Sequence, residues 1–190
     1  LLDFEAVKLS FDPPFTYTSG MKAPIYTDNR LLIGYPDAYR KIVSGFSALE
    51  QENDLKFDWL AGTATAGIPW AAFLDSSMDL PMVYVRSQAK SHGAGNQVEG
   101  YLSHGKRVLV VEDLVTTGGS SLLSVEALRR ESRSEVVGVA AIFTYGFAST
   151  YEAFEKAGIR LFPLTDFDTL LAVARESGRI SGEDFEKIMD

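Results

Sequence analysis

The chain has 190 residues, 46% of them apolar and 23% charged, with a formal net charge of −8 and no cysteine. That length fits one domain with a sizeable core, and the composition excludes disorder, disulfides, thiolate metal sites and cysteine nucleophiles. The acidic balance argues against a nucleic-acid binder, which needs a basic face, and no apolar run approaches the ~20 residues of a membrane span.

The first residues, Leu1-Leu2-Asp3-Phe4-Glu5, lack the basic start and apolar stretch of a signal peptide, so the expected compartment is cytoplasmic. With no initial Met, the true start is expected upstream, which leaves a sorting signal there open. Residues 1–12 carry a mixed apolar pattern read as a helix end running into a strand, broken by Pro13-Pro14. Phe15-Thr16-Tyr17-Thr18 alternates aromatic and hydroxyl residues, and Ile25-Tyr26-Thr27 follows a Ser19-Gly20 turn. The two runs predict a hairpin-like unit.

Pro36 to Leu49 reads as a helix, with Ile42, Phe46 and Leu49 on one face. Phe57 to Ala61 is a short strand that ends in Gly62-Thr63-Ala64-Thr65-Ala66-Gly67. A helix from about Pro69 to Asp75 follows, with Pro69 suited to its first turn. Met82 to Val85 is the next strand. Arg86 to Gly105 is polar and glycine-rich with no apolar period, and it holds both histidines of the chain, His92 and His104, beside Arg86 and Lys90. Structureless segments of that length are uncommon in compact domains and often functional.

Val108 to Val111 is an unbroken apolar run, the mark of a strand covered on both faces. Glu112-Asp113 is read as following directly on it, then Leu114-Val115-Thr116-Thr117-Gly118-Gly119-Ser120. The next helix has a predicted buried stripe of Leu122, Val125 and Leu128, supported by Leu123 and Ala127. Val136 to Phe143 is another buried strand, Thr150 to Lys156 a helix, and Ile159 to Leu164 a last strand. Helices at Thr169 to Glu176 and Gly182 to Met189 close the chain. Strands alternating with helices predict an α/β fold with a mostly parallel central sheet flanked by helices, its ligand at the carboxyl ends of the strands.

Within Thr116 to Ser121, four hydroxyls and two glycines before a helix suit a phosphate cradle better than a single cap. No Gly-x-x-x-x-Gly-Lys-Ser/Thr or Gly-x-Gly-x-x-Gly occurs, which excludes a P-loop and argues against a dinucleotide fold. Glu112 and Asp113 would repel an anion unless they face another part of the ligand. A ribose diol fits them, and a sugar that gains positive charge in its transition state would be stabilised by them. Phosphate and carboxylates together suggest a ribose 5-phosphate ligand.

The run Val110 to Ser120 resembles the phosphoribosyl-diphosphate (PRPP) motif of the type I phosphoribosyltransferases. Phe15 to Tyr26 and Tyr84 to Gly93 are similar to the orotate-acting branch of that family. The resemblance implies one phosphoribosyltransferase domain over 1–190, with a core at about 35–164 and a small hood from about 1–34 and 165–190. It implies transfer of ribose 5-phosphate from PRPP to orotate. PRPP would then be bound by Thr63, Ala64, Thr65, Ala66, Glu112, Asp113, Leu114, Val115, Thr116, Thr117, Gly118, Gly119 and Ser120, and by Arg86, Lys90 and His92 of a lid. Lys90, His92, Arg86 and Asp113 would be the catalytic residues, and Thr116 and Tyr26 would meet orotate. Mg²⁺ is implied as cofactor, held mainly through the substrate rather than by side chains. A homodimer is implied too, the lid Arg86–Gly105 of each subunit acting in trans, with neither nucleic acid nor membrane as partner.

Many relatives carry Lys where this chain has Thr18, Ala66 and Ser87, and an Arg near Tyr145. This chain instead resembles a second branch at Gly62 to Pro69 and Ala141 to Tyr145. Recognition of the orotate carboxylate is then expected to rest on backbone groups and the hairpin. The remaining readings are a phosphoribosyltransferase for another base and a non-catalytic regulator that senses PRPP.

Overall fold

The computed structural model describes residues 1–10, 13–16, 22–89 and 95–189. A 3-10 turn, Leu2–Phe4, precedes β1 (Val7–Leu9), β2 (Phe15–Thr16), β3 (Lys22–Ala23) and β4 (Ile25–Thr27). A second 3-10 helix, Asn29–Gly34, leads into α1 (Pro36–Glu52) and β5 (Trp59–Thr63). Then come α2 (Gly67–Met78), β6 (Met82–Val85), β7 (Val98–Glu99), β8 (Arg107–Val115), α3 (Gly119–Ser132) and β9 (Glu135–Thr144). The chain continues with α4 (Ala148–Lys156), β10 (Leu161–Asp166), α5 (Phe167–Glu176) and α6 (Gly182–Met189).

Among the described residues the central sheet has the order β10-β9-β8-β5-β6-β7. Every neighbouring pair is parallel except β6 with β7. Alternation along β8 explains how helices cover both faces. Leu109 and Val111 join Leu60, Trp70, Leu74, Phe46 and Ile142 in a core under α1 and α2. Val108 and Val110 join Val83, Val125, Leu128, Val139 and Phe154 under α3 and α4. Each such aliphatic side chain removed from water contributes roughly 1.5–3 kcal/mol, so burial on the middle of the sheet is a main source of the fold's stability.

Outside the sheet, Val7, Ile25 and Leu170 close over Phe143, and Leu2, Leu9 and Ile180 pack with Leu171 and Ala174 of α5. The first strands and the last helices therefore sit together near the carboxyl end of β9. No helix among the described residues is long and apolar enough to cross a membrane.

Four expectations change. The acidic pair lies inside β8 rather than after it, because β9 runs on to Thr144 and pairing carries β8 to Val115. The 86–105 segment contains β7, formed when Val98 and Glu99 pair with Val85 and Tyr84. Phe15–Thr16 pairs with Lys22–Ala23, which leaves Ile25–Thr27 to pair with Val7–Leu9. Leu123 does not support the buried stripe of α3; it is 50% exposed.

Candidate active site

At the carboxyl end of the sheet lies a cleft of about 270 Å³. The turn after β5 lines one wall with Thr63, Ala64, Thr65 and Ala66. Glu112, Asp113 and Leu114 of β8 line another, with Ser120 of α3 beside them. Thr27, Asp28 and Arg30 close the third side. A larger groove, about 670 Å³, runs between α1 and β10 past Leu32, Ile42, Leu49 and Phe162. None of the glycine- and hydroxyl-bearing turns reaches that groove, so chemistry points to the smaller cleft.

The 62–67 turn is held by its neighbours. The Ala64 N–H donates to the Val85 carbonyl at 2.8 Å, and the Ala64–Thr65 peptide is cis. A Cβ on Gly67 would overlap the Val111 carbonyl oxygen, so only glycine brings the start of α2 this close to β8. The helix begins without a side-chain cap; the Ile68 N–H donates back to the Thr65 carbonyl at 3.3 Å, and Pro69 brings no N–H, so the Gly67 end is the part of the helix start turned to solvent or a ligand.

The 116–120 loop is pinned from behind. Thr144 Oγ1 donates to the Val115 carbonyl at 3.0 Å, and Thr150 Oγ1 donates to the Thr116 carbonyl at 2.6 Å. Gly118 takes φ +80, a backbone region that L side chains rarely adopt, and a Cβ there would run into the Phe154 ring. Like α2, α3 starts without a side-chain cap. Two uncapped helix starts at one end of the sheet favour an anionic ligand.

The carboxylates between them differ in setting. Glu112 is buried; Ser121 Oγ donates to its Oε2 at 3.2 Å and the Asp113 N–H to its Oε1 at 3.3 Å. Burial, and then the charge of Asp113, pushes the Glu112 carboxyl up to about 8. Burial raises Asp113 as well, against the hydrogen bond it receives from Glu112. At neutral pH Glu112 therefore keeps its proton, and the pair carries less than the two negative charges of its composition. That answers how two carboxylates coexist beside two uncapped helix starts.

A line of hydroxyls joins the two turns. Thr63 Oγ1 donates to Ser124 Oγ at 3.2 Å, and Ser124 Oγ donates to the Ser120 carbonyl at 3.1 Å. Asn29 is equally buried, and its Nδ2 donates to the Asp113 carbonyl at 2.7 Å. Sequence reasoning missed Asn29 and Ser124, whose contacts are long-range or buried, and it counted Ser121 toward the phosphate cradle, whereas its hydroxyl bonds Glu112. It also passed over Asp28 and Arg30, although a charged run directly after the hairpin was a visible signal.

Of the remaining candidates, Lys90 and His92 lie outside the described residues. Arg86 stands at the base of the 86–105 segment, its Nη1 3.5 Å from Glu99 Oε1. Thr116, Thr117, Gly118 and Gly119 belong to the loop that delivers Ser120 to the cleft. Tyr26 is 42% exposed and lies against Phe15, ring centroids 5.8 Å apart, rather than on the cleft wall. The Tyr145 hydroxyl donates to Thr27 Oγ1 at 3.2 Å and so ties the end of β9 to the cleft. No group of three or more His, Asp or Glu among the described residues is placed to hold a metal ion.

Residues 37–159 match the phosphoribosyl transferase domain family. The orotate phosphoribosyltransferase of Listeria monocytogenes serovar 1/2a is 50% identical over 190 residues, which covers 100% of this chain and 90% of the relative. The crystal structure of orotate phosphoribosyltransferase from Aeropyrum pernix superposes with a TM-score of 0.81 at 30% identity, covering 95% of this chain and 97% of the other. The orotate phosphoribosyltransferase of Mycobacterium tuberculosis H37Rv in complex with PRPP gives 0.64 at 28% identity, over 80% and 86% of the two chains.

Proposed function

Because the chain belongs to the phosphoribosyltransferase family, and within it to the orotate-acting members, we propose a division of that reaction among its residues. The enzyme transfers ribose 5-phosphate from PRPP to orotate, giving orotidine 5-phosphate and pyrophosphate in pyrimidine biosynthesis. One observation carries the assignment of roles. The 62–67 turn, the acidic pair and Ser120 line a single cleft, so a donor with phosphate at both ends and a diol between them fits it.

The 116–120 loop takes the 5-phosphate through backbone N–H groups and hydroxyls, pre-shaped by Gly118 and by Thr144 and Thr150 behind it. Asp113 accepts hydrogen bonds from the ribose hydroxyls, and Glu112 holds its proton between Asp113 and Ser121. The negative charge that remains beneath the sugar stabilises positive charge on C1 as its bond to the diphosphate lengthens, and it repels the phosphates less than two ionised carboxylates would. The 62–67 turn receives the departing diphosphate.

Arg86, Lys90 and His92 act from the lid. Lys90 neutralises charge on the leaving group, and Arg86 and His92 hydrogen-bond it, His92 also serving as proton donor. Thr116 and Tyr26 contact orotate. The lid works across a homodimer, each 86–105 segment completing the other subunit's cleft and excluding water from it. Mg²⁺ fits a site with two carboxylates and no complete ligand set, since this ion commonly rides on substrate phosphates and keeps its waters. When bound with the donor it supplies positive charge to the diphosphate. We place the enzyme in the cytoplasm.

The test is a base panel. Protein, Mg²⁺ and PRPP are mixed with orotate, uracil or hypoxanthine and pyrophosphate release is measured. Release with orotate alone supports the assignment; release only with hypoxanthine, or with no base, overturns it.

A further inference from the structure

Three carboxylates line the cleft, Asp28, Glu112 and Asp113, yet its cargo is an anion. The turn that receives the diphosphate brings no cation, since 62–67 reads Gly-Thr-Ala-Thr-Ala-Gly. Among the described residues lining the cleft, the single cation is Arg30.

Arg30 is not a loose surface side chain. Its Nε donates to Asp28 Oδ1 at 2.6 Å and its Nη2 donates to Asp28 Oδ2 at 2.9 Å. That paired grip uses two of the five guanidinium N–H donors and fixes the plane of the group. Asp28 also caps the 3-10 helix by accepting from the Arg30 N–H at 3.2 Å, so backbone and side chain are held by one carboxylate. Asn29, between them, is bonded to the Asp113 carbonyl and ties the segment to the sugar strand. The Arg30 side chain is 63% exposed and so reachable by a ligand, whereas Asp28 is 19% exposed and acts as its anchor.

We propose that Arg30 binds the diphosphate group of the donor, supplying the fixed positive charge that the 62–67 turn lacks, with Asp28 as its positioning residue. The inference rests on the reading that this turn takes the diphosphate. Arg30 shares the cleft with that turn and with the acidic pair, while Tyr26, on the base side, is not on the cleft wall. A guanidinium also suits the role chemically, because its fork matches two phosphate oxygens at once.

The experiment uses the whole chain with Arg30→Ala, Arg30→Lys and Asp28→Asn. Pyrophosphate KM is measured in the reverse reaction with orotidine 5-phosphate, orotate KM in the forward reaction, and PRPP dissociation by calorimetry without orotate. Loss of a charge-assisted contact predicts that Arg30→Ala raises pyrophosphate KM and the PRPP Kd by about tenfold to a hundredfold. Orotate KM stays within about twofold. Arg30→Lys recovers part of the loss, because charge remains without the fork. Asp28→Asn shifts the same two constants by less, with orotate KM again unmoved. Unchanged pyrophosphate and PRPP constants in Arg30→Ala overturn the proposal, and so does a rise confined to orotate KM, which would put Arg30 on the orotate carboxylate. Failure of the underlying reading looks different: a PRPP-bound structure would place the diphosphate away from the 62–67 turn, whatever the Arg30→Ala constants show.

Discussion

Replacing Glu112 by Gln keeps the shape of the protonated acid and removes its titration. In the folded chain this carboxyl is pushed from 4.5 up to about 8, first by burial and then by the Asp113 charge. Between those values the native state holds a proton that the unfolded chain has released. The stabilisation is therefore complete below 4.5 and is lost as pH rises through about 8. One proton of difference sets a slope of ~1.4 kcal/mol per pH unit, and Asp113, raised by burial, acts with the same sign. Asp28, Asp58 and Glu131 are held below their ordinary values of 3.8, 3.8 and 4.5, so their contributions are lost only on the acid side of this window. Urea unfolding from pH 5 to 8.5 should show wild-type stability falling with pH, and Glu112→Gln should flatten most of that fall. A wild-type protein whose stability holds level or rises, or a variant that keeps the wild-type slope, would refute the shared-proton account.

Three further perturbations probe the frame around the pair. Ser124→Ala interrupts the line from Thr63 to Ser120 and strands a buried hydroxyl. It should cost ~1 kcal/mol in urea unfolding and raise the KM for PRPP severalfold while leaving that for orotate unchanged. A matching shift in orotate KM would contradict the link. Gly67→Ala drives a methyl into the Val111 carbonyl oxygen and should cost ~1–3 kcal/mol, so a stability equal to wild type in the same measurement would show that α2 can step back. Lys90→Ala removes charge stabilisation of the leaving group and should lower kcat by ~10²-fold or more with PRPP affinity nearly unchanged. Mixing it with Asp113→Asn should restore part of the activity if lids act across subunits, and no recovery would argue for a lid that serves its own cleft.

The parallel sheet was legible because Val108 to Val111 and Val136 to Phe143 are apolar without a break, as strands covered on both faces must be. Boundaries were not. Nothing local in Glu112-Asp113 announces a strand; the ladder with β9 imposes it. Two residues are too few for any period, so Val98–Glu99 becomes a strand only through Tyr84 and Val85. The alternation in Phe15-Thr16 was a true strand signal, but a hairpin's partner depends on register. Here Ile25 pairs instead with Leu9 and packs with Val7 and Phe143.

The candidate site shows the same division. Its turns were visible as glycine and hydroxyl clusters, since chemistry of that kind is concentrated in a few adjacent residues. The parts that set their geometry were not visible. Ser124 reads as one more helix serine until the fold brings Thr63, sixty-one positions away, to its Oγ. The raised Glu112 carboxyl likewise comes first from burial, against the lowering pull of the Ser121 hydrogen bond, and a strand-ending acidic pair reveals neither.

The most direct test of the account is a crystal structure with PRPP and Mg²⁺ bound. It should show the ribose hydroxyls on Asp113, with Glu112 behind it, the diphosphate at the 62–67 turn and the 5-phosphate at the 116–120 loop. A donor lying the other way round, or one seated in the groove between α1 and β10, would contradict it.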